Sequence, residues 1–216
     1  MNTLEAMEAR HSVRSFTDQK IESAVKEELT SKINQINSES KLHLQLFTDE
    51  PEAFSGNKPH YGDFKNCRNY LALVGPNDMD EQIGYYGEEF VLFAQTLGLN
   101  SCWVALTYHK NKVNCIIEKG EKLYIVIALG YGQTQGNPHK SKPLSELCKV
   151  TGTMPDWFKA GMETALLAPT AMNQQKFLIT LNNDQVSYKA GLGFYSKIDL
   201  GIVKYHFELG SGKKID

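Results

Sequence analysis

No Cys-x-x-Cys pair occurs in the chain; its four cysteines, Cys67, Cys102, Cys115 and Cys148, are scattered. That spacing excludes a zinc knuckle and a dithiol redox motif, and fits reduced thiols packed as small, partly buried side chains. An excess of charge of one sign is also missing. The net charge of −2 leaves no basic face for nucleic acid and no acidic tail. No apolar run approaches the roughly 20 residues needed to cross a bilayer. Met1 to Phe16 is amphipathic and charged rather than leader-like. These absences lead to the expectation of a soluble, cytoplasmic protein with neither membrane nor nucleic-acid partners.

What is present is an ordinary globular composition. Of 216 residues, 41% are hydrophobic and 22% charged, enough for one substantial core or two small domains sharing one. Thr3–Arg10 reads as a short helix followed by a polar turn around His11–Asp18. Ile21, Val25, Leu29, Ile33 and Ile36 keep helical spacing. Leu42, Leu44 and Leu46 alternate as in a half-buried strand, and Tyr70–Val74 reads as a short buried one. Between them Glu50–Lys65 forms a long loop of the kind that covers a site, with Tyr61 and Phe64 as lid candidates or packing aromatics.

From Asp80 the stripe Ile83, Tyr86, Phe90, Phe93, Ala94 and Leu97 predicts a helix, with Gly98 as its left-handed cap. Ser101–Leu106 reads as a turn into a short strand, and Leu123–Leu129 as the strongest strand of the chain. After the polar segment Gln133–Ser141, Pro155 opens a helix with Phe158, Met162, Ala165 and Leu166 on its apolar face, stopped by Pro169. Phe177–Leu181 and Val186–Lys189 predict a hairpin, and Asp199 is expected to cap a last helix. Ile83-Gly84 with Phe90 is echoed by Leu200-Gly201 with Phe207, a short internal match.

Four constellations carry chemistry. Arg10-His11-Ser12-Val13-Arg14 offers two guanidinium groups and a hydroxyl, able to wrap a phosphate or to cap a helix in solvent. Lys140-Ser141-Lys142 could add cations to the same anion or sit in an exposed loop. Thr170 and Asn173, on the turn after Pro169, suit a ligand's polar edge or local capping. Gly98 to Ala105 brings small residues into a strand, where backbone can approach a planar ligand or simply make a tight connection.

With these residues in order, the chain resembles the nitroreductase family of flavoproteins. Arg10, Ser12, Arg14 and Phe16 match its first motif, and Gly98–Trp103 match a Gly-Leu-Gly-Ser-Cys-Trp segment with Asn100 in place of the second glycine. Ala128–Tyr131, then Lys140, Lys142 and Pro143, and finally Ala168–Gln175 match three more pieces. The resemblance implies an α+β fold, with a mixed, mainly antiparallel sheet flanked by helices.

It also implies bound FMN. Arg10, Ser12, Arg14, Lys140 and Lys142 would surround its phosphate. Thr170, Asn173 and Gln175 would meet the flavin or its phosphate from the neighbouring side, and the backbone of Trp103, Val104 and Ala105 would lie beside the isoalloxazine. Neither a protein acid or base nor a metal is implied.

The implied activity passes reducing equivalents from NAD(P)H to a small acceptor such as a nitroaromatic or quinone. A non-catalytic FMN-binding protein, acting in storage or sensing, and a cofactor-free scaffold of the same fold stay open. Two departures stand out. The Ala-Pro turn comes in the C-terminal half rather than soon after the first motif, and Gln175-Lys176 replaces the usual Gln-Pro-Trp. The order resembles a pseudo-dimeric branch built by tandem duplication. Residues 1–142 would then form one half and 143–216 a shorter half completing the flavin site, in a monomer (pseudo-dimer) or homodimer.

Overall fold

The apolar run Leu123–Leu129 becomes a central strand of a four-stranded sheet in the computed structural model, which describes residues 1–56 and 63–214. The strands are β1 (His43–Phe47), β2 (Asn69–Pro76), β3 (Asn100–Val104) and β4 (Glu121–Gly130), all antiparallel in the order β1-β2-β4-β3. Leu71–Val74 and Val126–Leu129 are fully buried. Both faces of the two central strands are therefore covered, which is why they read as continuous apolar runs instead of alternating ones.

This sheet lies in a first unit made of Met1, Ala9–Met79 and Phe90–Asn137. Helix α1 (Thr3–Ala9) falls almost wholly outside that unit, whereas α2 (Ser23–Ser40) belongs to it and packs on β1. Its Leu29, Ile33 and Ile36 are buried, as their spacing requires. Asn37 clasps the edge strand: its Nδ2 donates to Leu44 O at 3.0 Å, and Leu44 N–H donates to Asn37 Oδ1 at 2.8 Å. The side-chain amide thus satisfies backbone groups that an edge strand leaves open. Helix α3 (Asp80–Thr96) ends in a Schellman motif, with Gly98 N–H on Gln95 O, Leu99 N–H on Ala94 O, and Gly98 at φ +82°.

The second unit comprises Asn2–Glu8, Asp80–Glu89 and the chain from Pro138 onward. It holds α4 (Leu144–Leu147), β5 (Cys148–Val150), α5 (Asp156–Ala165), β6 (Phe177–Asn182), β7 (Gln185–Ala190) and α6 (Ser196–Ser211). The expected hairpin is β6–β7, turned by Asn183 and Asp184 with both φ positive, as a two-residue loop demands. β5 pairs parallel with β6, so the described strands are mixed but mainly antiparallel.

Helices α5 and α6 pack through a cleared surface. A Cβ on Gly161 would fall 2.8 Å from the Phe207 ring, which also meets Phe158 at 5.3 Å and Tyr188 at 5.8 Å between centroids. The opening turn of α3 crosses α6 at two glycines. A Cβ on Gly84 would stand 1.9 Å from Ile198 O, and one on Gly201 1.9 Å from Glu81 O.

Three local expectations are corrected. His11–Phe16 is an extended segment rather than a polar turn, laced by bridges from Ser12 to Ser101 and from Phe16 to Gly132. The strand expected to follow a turn at Ser101 already begins at Asn100 and ends at Val104. Asp199 does not cap α6: the helix begins at Ser196 behind a left-handed Tyr195, and Asp199 lies inside its first turn. Tyr61 lies outside the described residues.

Candidate functional site

The eleven expected site residues divide between the units, six in the first and five in the second. In the first, the extended segment is fixed along its length. Val13 N–H donates to Ser101 O at 3.0 Å, Phe16 N–H to Lys65 O at 3.0 Å, and Thr17 N–H to Tyr131 O at 2.8 Å. Gln133 N–H reaches Ser15 O at 2.9 Å. Arg10 is buried, Ser12 half-buried and Arg14 exposed.

The Cys102 thiol senses all three side chains. Burial pushes its pKa up, while Arg14, a hydrogen bond with Ser12 and Arg10 oppose the rise. Two guanidinium groups and a hydroxyl at one place form a donor set suited to an anion. On β3, Trp103 is half-buried and Val104 buried, with Ala105 just beyond the strand end.

Asn100, which stands where the resemblance has glycine, is buried and bonded on both sides. Its Oδ1 accepts Gly132 N–H at 2.9 Å, and its Nδ2 donates to Gln135 Oε1 at 2.9 Å. It ties the start of β3 to the segment lying against residues 11–15.

In the second unit, the turn after Pro169 is strained and tightly held. Met172 (φ 52°), Asn173 (φ 52°) and Gln175 (φ 45°) are all left-handed without being glycine, at a cost on the order of 1–3 kcal/mol each. Asn accepts this conformation more readily than Met or Gln. Gln175, buried, is the frame. Its N–H donates to Thr170 Oγ1 at 3.0 Å, and its Oε1 accepts Lys142 N–H at 2.8 Å. Its Nε2 donates to Lys140 O and Asn173 Oδ1, both at 2.9 Å.

The Lys142 ammonium donates to Gln174 O at 2.9 Å, and Asn173 Nδ2 to Lys140 O at 2.9 Å. Lys140, Lys142, Thr170, Asn173 and Gln175 therefore form one connected assembly. Within it Gln175, Lys142 and Asn173 all spend hydrogen bonds on the chain itself, and Lys140 and Asn173 are exposed.

The residue that sequence reading misplaced is Asp199. Its Oδ1 accepts Ala171 N–H at 2.9 Å and its Oδ2 accepts Gln174 Nε2 at 2.7 Å. Burial pushes its carboxyl up to about 6, offset in part by the bonds from Gln174 and Ala171. Those partners lie more than two dozen residues upstream, so no local signal reveals them.

A pocket of about 250 Å³ in the first unit is lined by Phe54, Gly56, Phe64, Tyr108 and His109 among others, and by none of the eleven. Phe64 packs on Phe54 at 5.0 Å between centroids. Among the described residues no group of three or more His, Cys, Asp or Glu could hold a metal, and no helix is long and apolar enough to cross a membrane.

The sequence matches the family model described as "Putative TM nitroreductase" over residues 2–211. Among solved structures it is similar to a putative nitroreductase from Thermotoga maritima, at 24% identity and TM-score 0.68, across 97% of this chain and 83% of that one. A putative nitroreductase in complex with FMN from Desulfovibrio desulfuricans is 13% identical with TM-score 0.53, covering 68% of this chain and 94% of that one. A putative NADH dehydrogenase/NAD(P)H nitroreductase from Parabacteroides distasonis is 18% identical with TM-score 0.51, covering 68% and 97%. At these identities the structural likenesses establish the fold. No curated protein matches the sequence.

Proposed function

The chain belongs to the nitroreductase family whose model spans residues 2–211, and on that premise we propose that it is an FMN-dependent oxidoreductase passing reducing equivalents from NAD(P)H to a small acceptor such as a nitroaromatic or quinone. The observation that carries the proposal is the turn at residues 170–175. Three strained non-glycine residues stand there, two of them, Asn173 and Gln175, held by side-chain hydrogen bonds, and such strain persists where a surrounding framework over-determines it. A similar fold crystallised with FMN supports the choice of cofactor.

The donor set fits a phosphorylated flavin. Arg10, Ser12 and Arg14 would hold the phosphate, and exposed Lys140 would be a further cation for it. Thr170 and Asn173 would present a hydroxyl and an amide to the cofactor. Gln175 and Lys142 would act mainly as the frame that keeps them in place. The backbone of Trp103, Val104 and Ala105 would border the ring. FMN, when bound, supplies the two-electron carrier between the two substrates. The chain's own part is to bind, orient and shield.

We also keep duplication, with residues 1–142 and 143–216 as related halves and one flavin site per chain. The crossing of α3 and α6 supports it. Gly84 faces Ile198 and Ile202, three before and one after Gly201, while Gly201 faces Glu81 and Tyr85, three before and one after Gly84. Each glycine thus meets the same offsets of the other helix, as across a two-fold axis.

The test is the visible spectrum of the purified protein with FMN, recorded anaerobically before and after NADH or NADPH. A bound-flavin spectrum that bleaches supports the enzyme. Bound flavin that does not bleach points to storage or sensing, and an absence of binding removes the cofactor from the proposal. Light scattering with flavin quantitation checks the second reading, which expects one FMN per chain.

A further inference from the structure

We propose that Asp199, a residue no motif singles out, is the positioning residue that holds the Thr170–Gln175 turn and the Gly191–Phe194 loop in register for cofactor binding. The inference rests on the flavin reading of that turn, and adds a residue on a different element that acts only through it.

The geometry is a three-way junction. Asp199 sits in the first turn of α6, its N–H on Tyr195 O at 2.9 Å, and each carboxylate oxygen takes one donor from the turn. Gln174 carries the link onward: the same Nε2 that reaches Asp199 also donates to Phe194 O at 2.8 Å. Gly191 N–H closes the other end of the loop on Lys176 O at 2.7 Å. No slack remains, since a Cβ on Gly193 would lie 2.4 Å from Gln174 Oε1. Met172 and Asn173, two of the three strained residues, are bracketed between Ala171 and Gln174, the two that Asp199 grips.

A carboxylate is the side chain this junction requires. It accepts from two donors at once and donates to neither. Asparagine has the same shape but only one acceptor. Placed here, its amide nitrogen would face Gln174 Nε2. Gln174 would have to turn its oxygen inward, and Phe194 O would then lose its donor. The cost of using an acid is visible: Asp199 is 4% exposed, and burial alone drives its pKa toward neutrality. Only Ala171 N–H and the Gln174 amide offset that rise, and no charged or titratable group from α6, the turn or the loop contributes to it. A buried acid with no cation partner among the described residues carries a desolvation penalty that an apolar side chain avoids, so stability alone does not explain it.

The experiment pairs two readouts on wild type and Asp199→Asn. The first is amide hydrogen exchange of the protein without FMN, at one pH. Exchange at Ala171 and across Gly191–Phe194 should quicken on the order of tenfold in the variant, as loss of a charged hydrogen bond implies, while exchange in α5 and β6 stays as in wild type. The second is FMN titration by flavin fluorescence between pH 5 and 8. Wild-type affinity should fall several-fold as the pH drops through about 6, more steeply than the second ionisation of the FMN phosphate, itself at about 6, accounts for. The variant should bind more weakly at pH 8 and keep only the phosphate's own pH dependence.

A folded variant with unchanged exchange at Ala171 and Phe194 overturns the proposal. So does unchanged affinity with an unchanged pH profile. If wild type binds no FMN, the flavin reading falls, and the exchange result alone decides whether Asp199 holds the turn.

Discussion

Gly84 and Gly201 each press against the other's helix backbone, with the missing Cβ in both cases 1.9 Å from a carbonyl oxygen. Because the obstacle is backbone, neither helix can yield by moving a side chain. Gly84→Ala and Gly201→Ala are each expected to destabilise by about 1–3 kcal/mol, at the upper end of that span. Once one substitution has pushed the helices apart, the second meets less resistance, so the double variant should cost less than the sum. Urea unfolding measures all three. Strict additivity would contradict the close crossing.

Glu88 and His206 form a fully buried pair in the second unit, Nε2 to Oε1 at 2.9 Å, with His206 Nδ1 on Thr164 O at 3.1 Å. Removing one partner takes a hydrogen bond from the other in a medium where water cannot replace it. Glu88→Ala or His206→Ala should each cost about 3–5 kcal/mol, and replacing both by apolar residues of similar volume should cost less than either. A denaturant double-mutant cycle reads this directly, and single losses below about 1 kcal/mol would refute it.

Arg14 is the exposed cation of its cluster. Arg14→Ala should weaken FMN binding by roughly 1.5–3 kcal/mol, the loss of one charge-assisted contact, while leaving the melting temperature of the cofactor-free protein in place. Titration by flavin fluorescence checks it. Unchanged affinity would move the phosphate elsewhere.

Much of this architecture is legible in the sequence because its causes are local. The helical spacing of Leu29, Ile33 and Ile36, the glycine after α3 and the Asn183-Asp184 hairpin are decided within a few residues of themselves. Other features depend on partners far along the chain. β5 is three residues long and exists because β6 lies beside it. His11–Phe16 is extended because Lys65, Ser101 and Gln133 supply its bonds. Asp199 shows the distinction best, since an acid near a helix start is ordinarily a cap, and only folding reveals that its donors are Ala171 and Gln174. Within the candidate site, the motifs pick out segments but not the division of labour that makes Gln175 a frame.

Asp199 also gives stability and cofactor affinity opposite pH dependences. Its carboxyl titrates near 6 when folded against 3.8 ordinarily. Between those values the folded state holds the extra proton, so this group's contribution to stability is largest in acid. It is lost as pH rises through about 6, on the order of 3 kcal/mol in total. Comparing wild type with Asp199→Asn in urea from pH 4 to 8 isolates it. The difference should change between pH 4 and 6 and level off above, and a difference constant across the range would rule the effect out.

The buried thiols give each unit a clock of its own. Cys67 and Cys102 are enclosed in the first unit and Cys148 in the second, while Cys115 is only half-covered. Burial raises the pKa of all four thiols, Cys115 included, so it is the greater exposure of Cys115 that sets it apart. An alkylating reagent added to the native protein therefore meets Cys115 first, and the remaining thiols react only when their surroundings open. The order in which Cys67, Cys102 and Cys148 become labelled reports which part of the molecule breathes first, with no probe added beyond those the chain already carries.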